Sequence, residues 1–114
     1  MKLKTDHEAI ALELAAKHKV SKVHVYIGEL ENGEEVAAYL KEPNFTQKLF
    51  IMDKIASTGA AISAGYELSQ AIVLKEESDP RTWDAALGCD DLRLGLAGAC
   101  IPLITVIQNS FKKK

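Results

Sequence analysis

At 114 residues, with 47% hydrophobic and 26% charged side chains, the chain is long enough for one modest core and too evenly balanced for a disordered segment. Its formal net charge of −2, pI near 5.9 and single basic run at Lys112-Lys113-Lys114 argue against a nucleic-acid partner. The longest apolar run, Leu94 to Ile107, is shorter than the roughly 20 residues that a membrane span requires, so no membrane partner is expected. Met1 to Lys4 leads into charged residues and not into the apolar core of a signal peptide.

The first predicted helix runs from Thr5 to Lys17. Thr5 and Glu8 have the spacing of a capping box, and Ile10, Ala11 and Leu14 share a face. Lys22–Leu30 and Glu35–Lys41 are predicted as a β-hairpin around Asn32-Gly33, a pair that accepts the positive φ of a type I′ turn. A two-residue loop places Ile27 opposite Ala38, Val25 opposite Leu40 and Tyr26 opposite Tyr39. Val25, Ile27, Val36, Ala38 and Leu40 then form a buried face, and the tyrosine pair lies on the other face with His24 and Lys41.

Pro43 ends the strand, and Asn44 with Gln47 begins a helix whose apolar positions are Phe45, Leu49, Met52 and Ala56. Gly59 is its expected stop. A third helix, about Ala60 to Lys75, carries the stripe Ala61, Ala64, Leu68, Ala71 and Ile72, whose small members point to close helix packing. Asp79-Pro80 opens a short helix that carries Trp83 and stops near Gly88. Asp90 is expected to cap the last helix, which Pro102 kinks or breaks; residues 101–107 are β-branched enough to form a strand instead, and helix is the favoured reading. The elements sum to an α+β fold: one mostly helical domain, residues 1–114, with a two-stranded antiparallel β-hairpin packed against four to five helices.

Chemistry-bearing patterns are sparse. Gly95-Leu-Ala-Gly98 has neither the preceding strand nor the lysine of a phosphate loop and reads as tight helix packing. His7 and His18 stand too far apart on one helix to share a metal, and His24 belongs to the strand face of Tyr26. Cys89 sits at a helix boundary beside Asp90, and Cys100 lies in an apolar run. On one continuous helix they would be roughly 16 Å apart, too far for a disulfide. The expectation is a reduced, cytoplasmic protein with no catalytic residues, no cofactor and no metal. Glu76-Glu77 and Asp90-Asp91 are read as helix-end solvation and capping. Tyr26, Tyr39 and Trp83 are the candidate contacts for a protein partner or a homo-oligomer.

The run Val23-His-Val-Tyr-Ile-Gly-Glu-Leu30, the turn, Ala38-Tyr-Leu-Lys-Glu-Pro43 and the following helix resemble small phage tail assembly chaperones, over roughly residues 20–58. Asp90-Asp-Leu-Arg-Leu94 matches a later acidic-leucine segment of that family. The resemblance implies a non-enzymatic protein of the bacterial host cytoplasm that coats the helical tape measure protein and keeps it soluble until the tail tube assembles. Phe111-Lys112-Lys113-Lys114 reads first as a solvated, charged end that complements the helix dipole; a cloning remnant and, as the resemblance implies, the translated trace of a ribosomal frameshift site are the alternatives. A structural virion or tail subunit and a small-ligand-binding helical domain are the alternatives.

Overall fold

The computed structural model describes residues 6–105. Within them lie five α-helices and one antiparallel hairpin in the order α1 (His7–His18), β1 (Val23–Glu29), β2 (Glu35–Lys41), α2 (Phe45–Thr58), α3 (Ala61–Ile72), α4 (Asp90–Cys100) and α5 (Pro102–Thr105). The α+β architecture expected from the sequence is the one observed. The expected cap Thr5, the residues after Thr105 and the terminal lysines lie outside the described residues. Asp6 occupies the cap position of α1, its side chain accepting from the Ala9 amide at 3.0 Å.

The hairpin has the expected strands but not the expected register. Val25 pairs with Tyr39, Tyr26 with Ala38 and Ile27 with Ala37, one residue away from the two-residue-loop alignment. The turn is the reason. Gly33 has φ of +89°, whereas Asn32 keeps a negative φ, so the type I′ turn does not form. Instead the Gly33 amide donates to the Leu30 carbonyl at 2.9 Å, and the Leu30 amide donates to the Glu34 carbonyl at 2.8 Å. This is a three-residue loop with glycine in the left-handed position. The Asn32 side chain accepts from the Glu34 amide and braces it.

A one-residue shift moves every side chain of one strand to the other face. Val36, Ala38 and Leu40 are buried as expected, but Val25 is half-buried on the opposite face and Ile27 is 46% exposed. The hairpin is therefore not a one-sided cover. One face, with Tyr26, Ala38 and Leu40, packs into a core with Ile51, Ala64, Leu68, Ile72, Leu96, Cys100 and Ile104. The other, with Val23 and Tyr39, packs against Ala11 and Leu14 of α1 and against Leu74. Helices on both sides supply the apolar cover that a lone hairpin lacks.

α2 begins in the expected capping box: Asn44 accepts from the Gln47 amide at 2.7 Å, and the Gln47 side chain accepts from the Asn44 amide at 2.9 Å. Gly59, at φ +72°, ends it. α3 is shorter than expected because Val73 turns extended and bridges to Leu40. Its buried stripe is Ala64, Gly65, Leu68, Ser69 and Ile72; Ala61 is half-buried and Ala71 exposed. Two 3-10 turns, Pro80–Thr82 and Ala85–Leu87, replace the expected short helix. Asp79 and Pro80 sit at its start and Gly88 at its end, as expected. Asp90 is the first residue of α4 and not its cap, and its carboxylate pairs with Arg93 at 3.0 Å. Pro102 breaks the chain into α4 and α5, and residues 102–105 are helical.

Candidate protein-binding surface

The register shift separates the two tyrosines. Tyr26 turns toward α4, where its hydroxyl donates to the Leu92 carbonyl at 3.3 Å and lies against Gly95. Tyr39 is 5% exposed beneath α1, its hydroxyl 2.9 Å from His7 Nδ1. Burial pushes both phenols up from their ordinary pKa. The expected tyrosine face thus does not exist: one ring anchors each side of the hairpin. Trp83 packs against the main core with Lys75 over its ring at 5.0 Å. Its Nε1 is buried and finds no acceptor among the described residues.

Three of the exposed large apolar side chains lie elsewhere, on α2. Ile51 is the fully buried residue of that helix at 2% exposure, with Met52 and Ile55 packed beside it. Phe45, Leu49 and Phe50 remain 72%, 48% and 56% exposed. Phe45, Leu49, Met52 and Ala56 form a continuous stripe at helical spacing, as the sequence suggests. The helix is rotated, however, so that the stripe straddles the edge of the core instead of facing it. Lys48 of α2 pairs with Glu42 at 2.9 Å, and His24 Nε2 lies 2.5 Å from the same carboxylate. Burial pushes the Glu42 carboxyl up, but the hydrogen bonds from Lys48 and His24 outweigh it and hold the group below its ordinary value. Lys54 pairs with Glu67 of α3. These contacts help fix α2 with its phenylalanines outward.

Two further features frame the surface. Between α3 and α4 lies a shallow groove of about 430 Å³, walled by Ile62, Leu94 and Ala97 and floored by Tyr66 and Arg93. Arg93 donates to the Tyr66 hydroxyl at 2.8 Å. At the hairpin, the outer edge of β2 is sealed. The Leu74 amide donates to the Tyr39 carbonyl at 2.8 Å and the Asp79 amide to the Ala37 carbonyl at 2.9 Å. The Ser78 hydroxyl accepts from the Tyr39 amide at 2.8 Å. Sequence reasoning missed this seal, because Glu76 to Asp79 reads only as a polar break; the apolar pair Val73-Leu74 before it was the available signal.

Each described histidine has a neighbour: His7 has Tyr39, His18 has Glu77 and His24 has Glu42. Among the described residues no three His, Cys, Asp or Glu side chains gather as metal ligands. Both cysteines are free, and burial pushes the Cys100 thiol up to about 12. No described helix is long and apolar enough to cross a membrane. No protein-family model, curated protein or solved structure matches the chain.

Proposed function

We propose that the chain is a non-enzymatic protein-binding module that acts as a phage or prophage tail assembly chaperone in the bacterial cytoplasm, holding an apolar helical segment of a tail protein such as the tape measure protein. The observation that carries this reading is the outward placement of Phe45, Leu49 and Phe50 on a well-capped helix. Large apolar groups in one patch, rimmed by polar side chains, mark interaction sites on soluble proteins. Phe45 and Leu49, four residues apart, share a face that suits docking against another amphipathic helix, and Phe50 widens it by about 100° of helix rotation. Pairing of Lys48 and Lys54 with carboxylates of neighbouring elements supports the reading, since it orients the helix before any partner arrives.

A chaperone of this kind must cover a sticky rod reversibly. A few aromatic anchors on a small module provide affinity without a large permanent interface. The test begins with the neighbouring reading frames. The proposal expects one that encodes a long, predominantly helical protein. Co-expression with this chain should keep that protein in the soluble fraction, and the Phe45→Ser, Leu49→Ser, Phe50→Ser triple variant should leave it in the pellet. The reading fails if no such neighbour exists, or if the triple variant solubilises it as well as the native chain does.

A further inference from the structure

The two edges of the sheet are unlike. Segment 73–79 occupies the β2 edge, as described above. On β1, the Glu42 amide donates to the Lys22 carbonyl at 3.0 Å, and Leu30 pairs with Glu34. The ladder to β2 therefore uses the even-numbered residues of β1. Val23, Val25, Ile27 and Glu29 turn their amides and carbonyls away from β2, and no described residue bonds to them. A free edge of this length is a template for another strand.

We propose that the occupant is a second copy of this chain, paired antiparallel through β1 about a two-fold axis, giving a continuous four-stranded sheet β2–β1–β1–β2. Charge favours this partner and this direction. Lys19 and Lys22 stand exposed at the start of β1, and Glu29 and Glu31 stand exposed at its end, with Glu35 of β2 opposite Glu29. Antiparallel pairing lays the basic start of each copy beside the acidic end of the other, whereas parallel pairing would set like charges together. Shape favours it too. Ile27 is 46% exposed at the edge, and a hollow of about 430 Å³ between α1 and the first half of β1 is lined by Leu12, Ala15, Val23 and Val25. Pairing Val25 with the other copy's Ile27 brings that isoleucine to the mouth of the hollow, twice over by symmetry. The same register sets Lys22 opposite Leu30 of the second copy, between Glu29 and Glu31. This surface is separate from the outer face of α2, so a dimer would present two α2 helices.

Sedimentation of the full-length native chain across micromolar to millimolar concentration, with amide exchange followed by NMR, tests the proposal. The expected result is a concentration-dependent dimer in which the Val23, Val25, Ile27 and Glu29 amides become protected as the dimer forms. Ile27→Lys should weaken the dimer at least ~tenfold by placing a charge on the edge, and Leu94→Lys on α4 should leave it intact. Glu29→Lys should weaken it about threefold, the size expected for two surface ion pairs, and Lys22→Glu added to Glu29→Lys should restore it. A monomer at every concentration would overturn the proposal. So would a dimer in which those four amides still exchange freely, or one indifferent to both Ile27→Lys and Glu29→Lys.

Discussion

The seam between α3 and α4 and the outer face of α2 are built from similar apolar material and put it to opposite uses. In the seam, Gly65 brings α3 so close to the Ala97 carbonyl that a side chain there would strike backbone. On the facing helix, Gly95 lets the Tyr26 ring lie against α4. Leu68, Ile72, Leu96 and Cys100 are sealed between them. On α2, one residue is fully buried and three large apolar side chains face outward. The difference teaches that composition does not decide which helix is core. Small residues decide it, by letting one pair of helices approach until the larger side chains have nowhere to go but inward.

The sharpest way to break the comparison is to cut into the seam. Leu68→Ala removes a fully buried side chain, and urea unfolding should show a loss of roughly 2–5 kcal/mol. A loss under 1 kcal/mol would mean that the seam is not the stabilising centre. Gly65→Ala should come next, at about 1–3 kcal/mol, because the Ala97 carbonyl cannot step aside as a flexible side chain would. Gly98→Ala provides the internal control. A Cβ there meets nothing within 4 Å, so that variant should match the native midpoint or exceed it.

Those glycines mark how much was legible beforehand. The capping box at Asn44, the stop at Gly59 and the break at Pro102 follow from local chemistry, and the fold shows all three. Gly95 was readable as a packing residue in general terms. What it packs against was not, because Tyr26 reaches it only through a hairpin register that the sequence leaves undecided. Asn32-Gly33 fits a two-residue turn and a three-residue turn equally well, and the choice between them assigns each tyrosine its face. The apolar positions of α2 were legible as Phe45, Leu49, Met52 and Ala56, but Phe50 and the exposure of this helix were not, and the expected contacts were Tyr26, Tyr39 and Trp83 instead. Exposure depends on how α2 is rotated by Ile51, Lys48 and Lys54, whose partners lie outside the helix itself.

Acid should loosen the periphery by a smaller amount than either core variant. Glu77 is held below its ordinary 4.5 by the Lys17 hydrogen bond that ties α1 to the 73–79 segment. The opposing contributions at Glu42 also leave it lowered from 4.5. Asp79 is held below its ordinary 3.8 by Arg81. A carboxyl whose folded pKa is depressed contributes stability that is present above the unfolded value and is lost as pH falls through the folded one. The urea midpoint should therefore decline as pH drops below about 4.5, the ordinary glutamate value. Glu77→Gln should flatten that decline. A midpoint that stays level from pH 7 to pH 3 would show that these pairs hold nothing.

The most direct measurement sets stability against binding on the outer face of α2. The Phe45→Ser, Leu49→Ser, Phe50→Ser chain is unfolded in urea, and in parallel it is co-expressed with the long helical neighbour. If the face exists for a partner, the free protein should unfold within about 0.5 kcal/mol of native per site, as expected for exposed positions, while the neighbour loses its solubility. A fall of several kcal/mol at unchanged solubilisation would contradict the account, because the face would then belong to the protein's own core.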